Sequence, residues 1–166
     1  MNETKKHTAK DTLDFAQRVG ELVGMVAMLL LLAFFVFHQA TDTGFFTSKF
    51  GTFEQFLLYG AILVSFPTPI IRAFTGHRNP ARPFEAFDSL FLAMAAIWFL
   101  REFPFKFEHL ADPLPDGFEF LLSWVNNDIG KIPLVLQAII GPIIAAVLGL
   151  QYVVFRLKSA TQLPQT

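Results

Sequence analysis

The uncharged stretch Met25-Val26-Ala27-Met28-Leu29-Leu30-Leu31-Leu32-Ala33-Phe34-Phe35-Val36-Phe37, inside an apolar run from Val19 to about Ala40, decides the fold class. A helix rises about 1.5 Å per residue and membrane hydrocarbon is ~30 Å thick, so a run of this length crosses a bilayer. A cleavable leader would end on small residues. Here His38-Gln39-Ala40 sets a bulky ring at that place and further apolar runs follow, so the segment reads as an uncleaved span.

Three more runs have the same character. The second covers residues 53–74 and is interrupted near its far end by Pro67 and Pro69. The third covers 84–103 and is stopped by Pro104, because proline disfavours helical geometry in the residue before it. The fourth covers 132–155, with Lys131 before it and Arg156 and Lys158 after it. The composition agrees: 53% of the 166 residues are apolar and 16% charged, against about one quarter charged in soluble domains. The expected fold is all-α and polytopic, divided into a segment 1–18, a four-helix transmembrane domain 19–158 and a tail 159–166.

Two shorter helices are expected outside the hydrocarbon. Asp11 to Arg18 reads as an N-terminal interfacial helix capped by Asp11. In the last loop, Asp116 followed by Glu119 resembles a cap and its partner. Phe118, Leu121, Leu122, Val125 and Ile129 then recur at helical spacing. That pattern predicts an amphipathic helix over 116–129 with Trp124 at headgroup depth.

Orientation follows from the basic residues. Lys5, Lys6, Lys10, Arg18, Arg72, Arg78, Arg82, Arg156 and Lys158 fall on the side of the termini, while Lys49, Arg101, Lys106 and Lys131 fall on the other. Both ends are therefore expected in the cytoplasm, across a plasma (inner) membrane.

Three groups of residues are candidates for function. Where span three leaves the membrane, Arg101, Glu102, Lys106, Glu108, His109 and Asp112 form a polar cluster. Carboxylates with a histidine suit a cation or a quinol headgroup. However, Pro104 and Pro113 oppose the helix that would align His109 with Asp112, which leaves a solvated loop tied by Arg101 and Glu102 as the simpler reading. The break at Pro67 and Pro69 could expose carbonyls to an ion, although its place beside Arg72 fits a kinked helix end better. Gly20 with Gly24 in span one, and Gln137, Gly141, Ala145 and Gly149 in span four, put small or hydrogen-bonding residues on one face at spacing four, where neighbouring helices approach closely.

Absences narrow the function. The chain has no cysteine, which removes disulfides, thiolate metal sites and iron–sulfur clusters. The 21 phenylalanines read as packing and lipid-facing surface. No ionisable residue sits at mid-span, unlike a proton or ion pump, and span four lacks the arginine repeat of a voltage sensor. A pair of histidines for haem b, a nucleophile elbow and a phosphate-cradling glycine loop are missing too. No metal or cofactor is assigned, and the net charge of −1 gives no basis for nucleic-acid binding.

The leading expectation is a non-catalytic accessory subunit of a larger membrane complex, of respiratory, photosynthetic or transport type. Its partners would be the bilayer and other membrane subunits, or copies of itself. A homo-oligomeric channel with an uncharged pore is the alternative, and a lipid-active or quinone-binding enzyme a third reading.

Overall fold

The computed structural model describes residues 11–161, with side chains to 157. Five helices account for most of the chain: α1 (Phe15–Ala40), α2 (Thr52–Val64), α3 (Pro67–Thr75), α4 (Arg82–Glu102) and α5 (Asn127–Thr161). Helices α2 and α3 form one kinked rod, so the described chain has four helical units long and apolar enough to cross a membrane. This is the architecture of a multi-pass membrane protein.

The helix ends explain where the spans outrun the apolar runs. Asp14, not Asp11, begins α1: its side chain accepts from Gln17 N at 2.8 Å, and Gln17 Oε1 accepts from Asp14 N at 3.2 Å. This reciprocal capping box pulls residues 15–18 into the first span. The expected interfacial helix over 11–18 is therefore corrected: Asp11 is tied instead to the loop after α3, and residues 1–10 lie outside the described part. Span four starts at Asn127, earlier than its apolar run, because Asn126 Oδ1 accepts from Asp128 N and Ile129 N at 3.1 and 3.0 Å. Pro133 and Pro142 lie inside that helix without ending it.

The amphipathic helix expected over 116–129 is not formed. A single 3₁₀ turn at Glu119–Leu121 follows Gly117, whose φ is +87°. The side chain of Asn126 takes the amides that open α5 and so ends the preceding segment. The apolar residues still find partners: Leu122 and Val125 pack against the core, while Phe118, Phe120, Leu121 and Trp124 are exposed.

The spans stand in a row. Helix α1 packs against α2 and most extensively against α3, α2 against α4, and α4 along the length of α5. Any contact between α1 and α5 is marginal at most, so the row does not close on itself. The buried apolar core (Phe45, Leu57, Ala61, Ala95, Phe99, Phe105 and Leu110) joins α2 and α4 to the loops beyond them.

Candidate functional site: an aromatic plug and a charged seam

The loops at the far end from the termini fold into a plug of aromatic rings. Residues 41–51 and 103–107 meet as a short antiparallel bridge at Phe46 and Phe105, in which Lys106 N donates to Phe45 O at 2.7 Å and Thr47 N to Pro104 O at 2.9 Å. The bridge carries Phe45 inward to 1% exposure. Its ring lies 5.5 Å from Phe105, 5.4 Å from Phe107 and 5.9 Å from Phe35, within the range of favourable aromatic pairing. The turn that permits this uses Gly44 at φ +88°, where a side chain would also press on the His109 ring.

His38 closes the plug from α1. It is 1% exposed and sits 4.7 Å from both Phe34 and Phe45, with Nδ1 2.6 Å from Thr43 Oγ1. Its Nε2 is buried with no hydrogen-bond partner among the described residues. Nearby, Glu54 ties α2 to α4, with Oε1 accepting from Trp98 Nε1 at 2.9 Å and Oε2 from Gly51 N at 3.0 Å.

At the terminus side, a charged seam holds α1, α3 and α4 together. Arg72 pairs with Glu85 and reaches Glu21 at 3.6 Å, with the side chains of Arg72 and Glu21 about one-fifth exposed. Arg18 Nε donates to Ala73 O at 2.7 Å. Further into α4, Asp88 Oδ1 lies 2.6 Å from Ser65 Oγ, which is also 2.9 Å from Ala61 O.

The polar cluster Arg101, Glu102, Glu108, His109 and Asp112 does not converge. It separates into Arg101–Glu102 at 3.6 Å, with the Arg101 guanidinium 5.9 Å from the Trp98 ring, and His109–Asp112 at 2.9 Å. Lys49 Nζ donates to the Glu102 carbonyl, whereas Glu108 makes no ion pair among the described residues. His109 and Asp112 meet on a tight 3₁₀ turn (Phe107–His109) that needs no α-helix.

At the break, Pro67 starts α3, and the carbonyls of Ala61, Ile62 and Leu63 each accept a hydrogen bond from Ser65 or Phe66. Pro69 is buried. These carbonyls are therefore engaged within the kink.

The small-residue faces have different surroundings. Gly141 faces α4 so closely that an added methyl would lie 2.8 Å from Ser89 O and 2.9 Å from Ala93, and Gln137 Nε2 donates to the same Ser89 carbonyl at 3.4 Å. Ala145 is half-buried one turn on. By contrast, nothing among the described residues lies within 4 Å of a methyl placed on Gly20, Gly24 or Gly149.

Sequence reasoning missed the plug and the seam. Arg72 and Glu85 lie near the same end of adjacent antiparallel spans, as do Glu54 and Trp98, and that complementarity was the available signal. The pairing of Phe45 with Phe105 had none, because it joins loops far apart in the chain. Comparison with protein-family models, characterised proteins and solved structures finds no match to this chain.

Proposed function

We propose that this chain is a small, non-catalytic subunit of a larger membrane complex, lying in the plasma (inner) membrane with both termini in the cytoplasm. The observation that carries the reading is α1. No residue of its most apolar window is buried, and the one buried residue of the helix is His38, at its far end. Its polar and ring contacts to other elements fall at its two ends, through Arg18 and Glu21 at one and Phe35, His38 and Gln39 at the other. On the apolar surface of this helix, nothing among the described residues lies within 4 Å of a methyl placed on Gly20 or Gly24. In a bilayer, helices associate through close van der Waals packing at small residues, and Gly20 and Gly24 offer such a surface to a neighbour.

The test is purification in mild detergent from the native membrane, with and without Gly20→Leu and Gly24→Leu. Defined partner subunits should accompany the wild type and be lost from the double variant while the chain itself stays folded. A symmetric homo-oligomer that passes ions in liposomes contradicts the reading. The orientation rests on the nine basic residues of the terminus side. Cysteines placed in the Gly76–Arg78 loop should react with an impermeant thiol reagent only after the cells are opened.

A further inference from the structure

Between α4 and α5, the residues around the 3₁₀ turn Glu119–Leu121 carry a run of uncovered apolar side chains. Phe120 and Trp124 are 67% and 63% exposed, with Phe118 and Leu121 exposed beside them. Single exposed apolar residues are ordinary on a protein surface, but several large ones so close in the chain mark a surface that something covers.

The depth of this segment follows from what it packs on. Leu122 and Val125 lie against the same apolar cluster as Leu58 of α2, Leu92 of α4 and Leu134 of α5. Those three leucines belong to the apolar runs of their spans, so the segment sits where the helices leave the hydrocarbon. Backbone without a helix is tolerated near lipid only where its polar groups are satisfied or reach water. Here successive turns supply that satisfaction: Leu121 N donates to Phe118 O, Leu122 N and Ser123 N to Glu119 O, and Val125 N to Leu122 O, at 2.8 to 3.1 Å. The Trp124 indole N–H donates to Leu121 O at 2.7 Å, so its ring meets its surroundings with the donor already engaged. Charge identifies the kind of lipid. Residues 107–130 contain Glu108, Asp112, Asp116, Glu119 and Asp128 but no Lys or Arg, which leaves nothing to attract anionic headgroups.

We propose that Phe118, Phe120, Leu121 and Trp124 insert into the headgroup boundary of the leaflet away from the termini, and that this anchor, built from turns, takes zwitterionic lipid in preference to anionic lipid. Aromatic side chains favour this depth in membrane proteins. The anchor depends on the spanning helices and not on a partner complex.

The chain has two tryptophans and no cysteine, so single positions can be probed. The full chain carrying Trp98→Phe, in phosphatidylcholine vesicles, isolates the emission of Trp124. Lipids brominated near the headgroup end of the acyl chain should quench it about twofold more than lipids brominated near the chain end, as expected for a ring at the interface. Aqueous acrylamide should quench it little, and added phosphatidylglycerol should not increase the quenching by bromine. Quenching by acrylamide without quenching by bromine overturns the proposal and leaves the patch to a different protein. Protection from both quenchers that grows with the protein-to-lipid ratio assigns it to a second copy of the chain, and overturns the proposal as well. Stronger bromine quenching with phosphatidylglycerol overturns the lipid preference. Because Trp98→Phe also removes the bond to Glu54, a nitroxide on Phe120→Cys in the otherwise unaltered chain gives a second reading. It should meet oxygen more often than a water-soluble nickel chelate, and the reverse order overturns the anchor.

Discussion

Single residues set the tolerances of the plug and of the α4–α5 contact. Gly130 begins the first turns of α5, and a methyl built there would lie 2.3 Å from the Phe107 ring. That ring cannot retreat freely, because it is wedged against Phe45, Phe103 and Phe105. Gly130→Ala is therefore expected to lower stability by about 1–3 kcal/mol, as overpacking does elsewhere, and Gly141→Ala to act similarly by pressing on the Ser89 carbonyl. Gly149→Ala, on an open face, should change it by less than about 0.5 kcal/mol. Thermal unfolding in one detergent ranks the three variants, and a neutral Gly130→Ala contradicts the packing described for Phe107. Glu54→Leu tests the polar side of the same region. It strands the N–H of the half-buried Trp98, so the loss should stay below the about 1–3 kcal/mol of a fully buried unsatisfied group, and it should alter the tryptophan emission.

Among the elements, the spans were readable from the sequence because a charge-free apolar run has few alternatives in a bilayer. Their ends were less so, since Asp14 and Asn126 start helices through side-chain hydrogen bonds that hydropathy does not register. The segment 116–129 shows the opposite failure: its apolar spacing is real, but it is satisfied by Leu122 and Val125 packing on the plug without an α-helix. The candidate polar cluster was legible as residues and not as geometry, because a turn at Phe107–His109 divided it into two pairs. At this scale the seam ties α1 to α3 and α4. Arg72→Leu leaves Glu21 and Glu85 without their cation, and the loss should approach, though their partial exposure keeps it below, the about 3–5 kcal/mol seen for fully buried pairs. Lys131→Leu, which removes an exposed pair with Asp128, should cost at most about 1 kcal/mol. If the two variants unfold alike, the seam does not hold α1 in place.

The whole molecule is a row of spans, packed most extensively between α4 and α5 and less so between the other neighbours. A plug closes one end of the row and a charged seam ties the other, while between them α1 has half-buried residues (Met25, Met28, Leu32) but none that is fully buried. That combination suits a helix whose partner is another chain. The most direct measurement is site-directed crosslinking in native membranes, with a photoreactive residue at Val23 or Ala27, near the open glycine face. Our reading predicts a discrete adduct with a different membrane protein, abolished by Gly20→Leu with Gly24→Leu. Crosslinks to lipid alone, or only to a second copy of this chain, would contradict it.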